Sequence, residues 1–240
     1  MNDARASYGG EYLDWKGWDA APFGSFDAEA AHYFAAETGI RDGRGRCVLE
    51  LGFGNGGCLA WLKSTGAEVY GTEINPPLLE AARGLLGAER VFADLDAPPL
   101  AALIGTFTHV LAFDVFEHVP QEALGPLLAR LGNLLKPDGR IIARFPNGDS
   151  PFGRIHQHGD PTHLTTIGHA KLEYFARRAG LAVVEMRAPA LPAYGFGARA
   201  LRRRVLRSVR AVVDRAIGLL YFGGRRIALD PNYVAVLRRV

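Results

Sequence analysis

Cysteine is scarce in this chain, with Cys47 and Cys58 the two examples among 240 residues. Two cysteines cannot form a disulfide framework or a four-ligand zinc site, which excludes the small disulfide-bonded and zinc-stabilised classes of protein. We expect both to be core residues, and a reducing cytoplasm is the expected location. A chain of this length can bury a substantial hydrophobic core without covalent cross-links.

Long apolar runs are also missing, and the longest is far shorter than the roughly 20 residues that a membrane span needs. The opening MNDARASYGGEYLDW lacks a basic segment followed by an apolar stretch, so we expect no secretory signal. With 48% hydrophobic and 22% charged residues, the composition excludes a disordered or collagen-like chain. The sequence therefore predicts one globular domain, or one domain with a modest addition.

Acidic residues are nearly absent from one segment, residues 199–226, where nine arginines accompany Asp214 alone. The rest of the chain has 19 basic and 24 acidic residues, so the formal net charge of +3 is a local property. Basic charge confined to one segment indicates that a partner attracted by it binds that segment and not the whole surface.

From residue 46 onward, short apolar runs alternate with helical stretches. Because parallel strands need crossover helices, this alternation predicts a Rossmann-like, mostly parallel sheet with helices on both faces. The predicted strands are 46–52, 67–74, 90–95, 107–115, 140–145, 181–187 and 232–240. The predicted helices are 27–38, 56–66, a stretch after Pro76-Pro77, 121–136 and 170–180, with a turn at 136–139 and a loop at 146–168.

A glycine-rich loop, ELGFGNGG (50–57), joins the first predicted strand to its helix. Gly52, Gly54 and Gly56 allow a tight turn and a close approach of the backbone to a ligand. The amide groups at the start of the next helix face the same place. Glu73 ends the second strand about 20 residues later, where its carboxylate can accept two hydrogen bonds from ribose hydroxyls. Together these features predict an adenosine-containing cofactor.

The same glycines also fit the dinucleotide pattern G-x-G-x-x-G, so the loop alone does not distinguish two cofactors. Glu50, two residues before the first glycine, favours S-adenosylmethionine (SAM), because a carboxylate attracts the methionine ammonium group and repels a pyrophosphate. Asp94, at the end of the third predicted strand, is placed for an adenine amino group. An NAD-dependent oxidoreductase remains the alternative, although a Tyr-x-x-x-Lys catalytic pair is not evident.

Residues 46–187 and 232–240 resemble the class I SAM-dependent methyltransferases, a broad family with ubiquinone-biosynthesis and glycan-modifying members. ELGFGNG resembles the acid-x-G-x-G-x-G motif of that family, GTEIN its ribose-binding acid and ADLD its adenine-contacting segment. FDVFEHVP and LKPDGRIIARFPN resemble its fourth and fifth strands with the turns that follow. The departure from the family pattern is the inserted segment 188–231, which carries the basic run.

The resemblance implies an α/β fold with a seven-stranded sheet whose last strand, 232–240, is antiparallel. Residues 46–240 would form the SAM-binding domain with a helical insertion at 188–231, and residues 1–45 an N-terminal helical lid. Aromatic residues Tyr8, Tyr12, Trp15 and Trp18 could close over the cofactor or simply pack. The implied cofactor-binding set is Glu50, Gly52, Phe53, Gly54, Gly56, Glu73, Ile74, Asp94, Leu95, Phe113 and Asp114.

The segment DVFEH contains Asp114, Glu117 and His118 at spacing i, i+3 and i+4, which would place them on one helical face. Carboxylates and an imidazole on one face can bind a divalent cation. The segment is similar to the E-x-x-E-H pattern of metal-assisted quinone O-methyltransferases. We expect no metal here. Instead, we expect Glu117 and His118 to line the cofactor pocket, or His118 to act as a base.

A second histidine group, HQHGDPTH (156–163), lies after the fifth predicted strand. Histidine titrates near neutral pH, so His158 or His163 could remove a proton from a substrate. The group could also be a polar surface loop, since its spacing matches no standard zinc site. His32, His109 and His169 are expected to be structural.

The basic segment has helical periodicity over residues 198–220, with apolar positions on one face and arginines largely on the other. Three interpretations stay open. The apolar face could pack on its own domain, the helix could contact an anionic membrane or a lipid-linked substrate, or it could bind nucleic acid. The sequence argues against nucleic-acid binding, because no nucleic-acid-binding motif accompanies the arginines.

The sequence as a whole predicts SAM-dependent methyl transfer to a hydroxyl group of a small molecule, with a saccharide or a lipid-linked precursor as candidate acceptors. The protein would be cytoplasmic or peripherally bound to a membrane. A non-catalytic module with the SAM-binding fold, docked to a membrane or a larger complex, is the remaining alternative.

Overall fold

The sheet of this protein contains seven strands in the order β3–β2–β1–β4–β5–β7–β6 within the residues that a computed structural model describes, 15–18, 22–191, 197–225 and 227–240. The strands are β1 (Cys47–Leu51), β2 (Glu68–Thr72), β3 (Val91–Phe92), β4 (Phe107–Phe113), β5 (Leu135–Pro146), β6 (Leu181–Arg187) and β7 (Asn232–Arg239). β1 to β5 pair in parallel, and β7 is antiparallel to both β5 and β6. The predicted fold class is confirmed, including the antiparallel last strand.

The helices follow the predicted alternation. They are α1 (Ala28–Thr38), α2 (Gly57–Ser64), α3 (Pro76–Leu86), α4 (Pro98–Ala101), α5 (Gln121–Leu134), α6 (Gly153–Gly159), α7 (His169–Arg178) and α8 (Ala198–Tyr221). α1 begins at Asp27, whose carboxylate accepts a hydrogen bond from the Ala30 amide at 2.8 Å, and it ends at Gly39 in a left-handed conformation.

Alternating strand residues divide the hydrophobic core between the two faces of the sheet. Val48 and Leu111 pack with Leu62 of α2 on one face. Leu49 and Val110 pack on the other face, with the buried leucines of α5. Because successive side chains of a strand point to opposite faces, each central strand contributes to both layers. The carboxyl ends of β1, β2 and β4 therefore meet at one edge of a rigid, doubly covered sheet.

Three local predictions are wrong. β3 pairs only over Val91–Phe92, so the predicted strand 90–95 ends early and Asp94 lies in the following loop. Residues 136–139 lie within β5 instead of forming a turn before it, and the pairing of β5 with β4 shifts there from Phe107–Leu135 to His109–Arg140. The predicted loop 146–168 contains the short helix α6, which carries His156 and His158.

The two cysteines and the histidines His32, His109 and His169 lie outside the candidate site, as expected. Cys58 is buried and Cys47 half-buried, both as free thiols. His109 is buried in β4, which lowers its pKa to about 4. His32 lies exposed on α1 with its Nδ1 2.6 Å from the Ala28 carbonyl, and the His169 amide starts α7 by donating to Asp149.

The basic segment forms the 24-residue helix α8. Of its residues with described side chains, Ala200 and Gly218 are buried, and large apolar side chains along it are exposed. Packing of its apolar face on the domain, one interpretation of the sequence, is therefore wrong. In the part of the chain that the structure describes, no helix is both long enough and apolar enough to cross a membrane.

Candidate functional site

The glycine loop follows β1 as predicted, in backbone conformations that favour glycine. Gly54 has a φ of 52° and Gly56 a φ of 75°, which residues with a Cβ adopt only at a cost. A Cβ on Gly54 would lie 2.9 Å from the Trp18 ring, and a Cβ on Gly56 would lie 2.3 Å from the Phe23 ring. The loop is thus covered closely by aromatic side chains from the residues that precede α1.

Glu73 lies immediately after β2 and is almost completely buried. Its Oε2 accepts a hydrogen bond from the Gly54 amide at 3.0 Å, and its Oε1 accepts from the amides of Ile74 and Asn75 at 2.8 and 3.0 Å. A carboxylate has about four acceptor positions, so one remains on Oε2 for a ribose hydroxyl instead of the two predicted. The acid therefore holds the glycine loop as well as facing the ligand site.

A cavity of about 300 Å³ opens between the glycine loop, Glu73 and the loop after β4. The residues around it come from the ends of four strands, which is where open α/β sheets bind ligands. The predicted site residues that line it are Gly52, Glu73, Ile74, Asp94, Leu95, Asp114 and His118.

The other predicted cofactor residues lie away from this cavity. The Phe53 and Phe113 side chains pack with the core on the α2 face, so Phe53 can serve a ligand through its backbone only. Gly54 and Gly56 lie beneath Trp18 and Phe23. Sequence spacing predicted which residues lie near the ends of the strands. The direction of each side chain depends instead on the strand twist and the packing.

Glu50 is buried at the end of β1, and its Oε2 has no hydrogen-bond partner. Burial raises the pKa of Glu50 to about 8; the Cys58 thiol opposes this by hydrogen bonding, and the nearby Glu73 adds to it. A buried polar oxygen without a partner costs free energy, so it is a position where a ligand donor can bind favourably. Glu50 thus suits the binding of a cationic ammonium group.

Asp114 has a φ of 57°, the one positive φ among the described residues other than glycine. Its Oδ1 accepts a hydrogen bond from Arg144 Nε at 2.8 Å, and its Oδ2 pairs with Arg144 Nη2. Arg144 also donates to the Tyr33 hydroxyl at 2.6 Å. These contacts raise the pKa of Arg144, while burial raises that of Tyr33 to about 12. The network joins α1 to the ends of β4 and β5.

We expect Asp114→Ala to lower the free energy of unfolding by about 2 kcal/mol, because it leaves the largely buried Arg144 guanidinium without its carboxylate. The strained left-handed φ of alanine adds to the loss. Urea denaturation measures the change. Asp42→Ala is the matched control, because it removes the exposed Asp42–Arg44 pair and is expected to change stability little. Equal stabilities of the two variants would contradict the role of the network.

Asp114 does not share a helical face with Glu117 and His118, so that prediction is wrong. Residues Phe116–His118 form a single 3-10 turn, and Asp114 precedes it. Glu117 and His118 instead meet His163, and one possible ligand atom from each lies within 4.8 Å of the others. The His118 and His163 rings are 4.6 Å apart in an edge-to-face arrangement. These three residues are the group that could hold a divalent metal ion.

Burial shifts the pKa values of the same three residues toward their uncharged forms. Burial raises the pKa of Glu117 well above its usual range, with a further contribution from Asp114. Burial also lowers the pKa of His118 to about 4, and it lowers that of His163.

Thr162 orients His118. The His118 Nδ1 lies 3.2 Å from the Thr162 carbonyl and 3.0 Å from its hydroxyl, which in turn donates to Asp160 at 2.5 Å. Because Nδ1 is the donor to Thr162, Nε2 is the nitrogen that can accept a proton. His158 is exposed on α6, so the structure separates it from the histidine that lines the cavity.

The segment 15–18 contacts the site at two places. Trp18 lines the cavity above Gly54, and Lys16 Nζ lies 2.9 Å from Asp160 Oδ2. Trp15 is exposed, and the predicted lid residues Tyr8 and Tyr12 lie outside the described residues.

Sequence analysis did not identify several residues at the site. Arg130 of α5 lines the cavity and pairs with Asp96 at 2.6 Å. Arg144 pairs with Asp114, and Lys16 pairs with Asp160, as described above. These three residues are isolated basic positions without a motif, so no sequence signal distinguishes them from ordinary surface charges.

Comparison with known proteins supports the class of protein that the fold and the cavity indicate. Residues 49–143 match the family described as methyltransferase domain. The chain is 30% identical over 105 residues to an uncharacterized methyltransferase of Geobacillus sp. strain WCH70, an alignment that covers 41% of this chain and 46% of that protein. The chain thus spans about half the length of the curated relatives it matches.

Solved structures share the fold over nearly the whole chain. A SAM-dependent methyltransferase from Archaeoglobus fulgidus is similar with a TM-score of 0.65 and 20% identity, covering 96% of this chain and all of that one. A Burkholderia thailandensis 1,6-didemethyltoxoflavin-N1-methyltransferase, with 1,6-didemethyltoxoflavin and S-adenosylhomocysteine bound, has a TM-score of 0.57 and 20% identity over 98% of this chain and 87% of its own. This chain has the class I SAM-dependent methyltransferase fold. More particularly, its residues 49–143 are similar to the methyltransferase domain family.

Proposed function

We propose that this protein transfers a methyl group from SAM to a hydroxyl group of a small molecule. The observation that carries the proposal is the 300 Å³ cavity bounded by the glycine loop, Glu73 and Asp94. The family match at residues 49–143 and the antiparallel β7 favour this activity over hydride transfer to a nicotinamide cofactor.

The residues around the cavity fit SAM in charge and shape. Among the residues that line it, Glu73 offers its remaining acceptor position to the ribose, and Asp94 and Leu95 contact the adenine side. Glu50 does not line the cavity and is buried near the end of β1, from where its unpartnered oxygen would meet the ammonium group. Gly52 lines the cavity with a φ of 65°, and a Cβ at this position would lie 2.9 Å from the Val115 side chain. When bound, SAM supplies a methyl group on a sulfonium, which is already a reactive methyl donor.

We assign the general base to His118. A hydroxyl nucleophile must lose a proton, and His118 lines the cavity as a neutral imidazole held through its Nδ1 by Thr162. His163 lies behind it and supports its ring from the side. The proposed substrate class is a saccharide or a lipid-linked precursor that presents one hydroxyl.

We also propose that residues 1–45 act as a lid over the cofactor. The two contacts of the segment 15–18, Trp18 on the glycine loop and Lys16 on Asp160, support this role. A lid excludes water and holds the acceptor in line with the methyl group, which is the main requirement of this reaction.

The proposed activity is tested by incubating the protein with methyl-labelled SAM and fractionated cell extract, followed by mass spectrometry. We expect label on an oxygen atom of a small molecule. Label on protein, on RNA or on a carbon atom would overturn the proposed acceptor. SAM binding without any labelled product would favour the non-catalytic alternative.

The proposed base predicts a selective loss of rate. We expect His118→Ala to lower kcat by about 10²- to 10⁴-fold, because proton transfer loses its acceptor, while SAM binding stays the same. Turnover of the labelled product and calorimetric titration measure the two effects. His32→Ala, an exposed histidine on α1, is the matched control. A comparable loss in His158→Ala, with His118→Ala fully active, would move the base to α6.

A further inference from the structure

Helix α8 turns its charged side toward the protein. Arg203 pairs with Glu29 of α1, Arg207 donates to the Leu191 carbonyl, and Arg210 Nη1 donates to Asp230 at 2.8 Å. These arginines recur at intervals of three and four residues, so they define one face of the helix. That face is occupied by contacts with the body of the protein.

The opposite face of α8 is apolar and exposed. Leu201, Val205, Val212 and Leu219 follow helical spacing along it, and the exposed fraction of Val212 is 68%. The stripe ends at Leu219, whose exposed fraction is 60%. A helix of 24 residues is about 36 Å long, so this apolar stripe extends across much of one side of the molecule. Contiguous exposed apolar surface of this kind marks an interaction site.

Charge determines which partner fits this stripe. Arg202, Arg204 and Arg215 are exposed on or beside it. Asp214, the one acid of the helix, points inward and accepts a hydrogen bond from the Leu229 amide at 3.2 Å. A second copy of this chain seated on the stripe would bring arginines against arginines without an acid from either helix. An anionic surface would instead pair with them.

We propose that α8 is an interfacial helix that binds an anionic lipid bilayer. The apolar stripe would enter the boundary between headgroups and acyl chains, and the three exposed arginines would contact lipid phosphates. Long arginine side chains can reach the headgroups from the edge of an apolar face. Since the rest of the chain has 19 basic and 24 acidic residues, this segment supplies the attraction and sets the orientation of the protein on the membrane.

Flotation of the full-length protein with lipid vesicles tests the proposal. We expect wild type to float with vesicles of phosphatidylcholine and phosphatidylglycerol, to remain unbound with phosphatidylcholine alone, and to bind less at high salt. Two double variants, Arg202→Glu with Arg204→Glu and Val205→Glu with Val212→Glu, should each reduce the bound fraction about tenfold.

The matched control variants carry arginine-to-glutamate and apolar-to-glutamate substitutions at exposed positions outside α8. Arg154→Glu with Arg177→Glu replaces two exposed arginines of α6 and α7, and Ile104→Glu replaces an exposed apolar residue outside α8. Both should bind as wild type does. Thermal melting verifies that each variant is folded, which is expected because every replaced side chain is largely exposed.

Three results would overturn the proposal. The first is failure of wild type to float with anionic vesicles, and the second is equal binding by the α8 variants and the controls. The third is a lipid-free dimer in sedimentation equilibrium that Val205→Glu with Val212→Glu dissociates, which would show a second copy on the stripe. Since none of these measurements uses methyl transfer, they are independent of the proposed activity.

Discussion

Replacing Glu73 by alanine is expected to lower the affinity for SAM about a hundredfold. A hydrogen bond to a charged partner contributes about 1.5–3 kcal/mol, and the variant loses the one that the remaining acceptor position of Glu73 offers to ribose. It also loses the three bonds to the amides of Gly54, Ile74 and Asn75, so the glycine loop is no longer held in place. Isothermal titration calorimetry measures the affinity.

Glu68→Ala is the control for this experiment. Glu68 begins the same strand, is exposed, and accepts a hydrogen bond from the Tyr70 hydroxyl at 2.9 Å, away from the cavity. We expect its affinity for SAM to match that of wild type. If Glu73→Ala also bound SAM as tightly as wild type, the assignment of the cavity to this cofactor would be wrong.

Binding of SAM is expected to release a proton and to strengthen as the pH rises. Burial holds the pKa of Glu50 at about 8, so the carboxyl group is mostly protonated in the free protein at pH 7. A bound ammonium group favours the ionised form and lowers that pKa. Below about pH 8 binding must therefore expel the proton, and affinity should rise by up to about tenfold per pH unit between about pH 6 and pH 7.5.

Glu50→Gln isolates this effect, because glutamine has the same shape and does not ionise. We expect the variant to bind SAM more weakly at pH 7.5 and to lose the pH dependence in this range. Calorimetry in two buffers of different ionisation enthalpy counts the protons released. A flat affinity in wild type, or an unchanged slope in Glu50→Gln, would show that Glu50 does not contact the ammonium group.

Local sequence patterns were sufficient for the strands, the glycine loop and the acid after β2. Each is encoded over a few residues, by apolar runs, by glycines at close spacing and by a carboxylate one strand later. The prediction of strand 90–95 was wrong because only Val91 and Phe92 find a partner in β2. Strand length at the edge of a sheet depends on the neighbouring strand, which local sequence does not specify.

The histidines show most clearly the difference between what local sequence predicts and what the tertiary structure determines. Sequence spacing grouped Asp114 with Glu117 and His118, and placed His158 and His163 together. In the structure, His163 lies beside Glu117 and His118. Asp114 instead accepts a hydrogen bond from Arg144, and His158 is exposed. A left-handed residue at 114 and a helix at Gly153–Gly159 redirect these side chains, and neither has a clear local signal.

Amphipathic periodicity established from the sequence alone that α8 would be a helix with an apolar and a basic face, because that pattern is a local property of the chain. Which face meets the protein was decided only by tertiary structure. Glu29 and Asp230, far from α8 in sequence or across a turn, accept Arg203 and Arg210 and hold the basic face inward. Periodicity defines two faces, and the partners that the fold brings to the helix determine which of them is left for solvent or another surface.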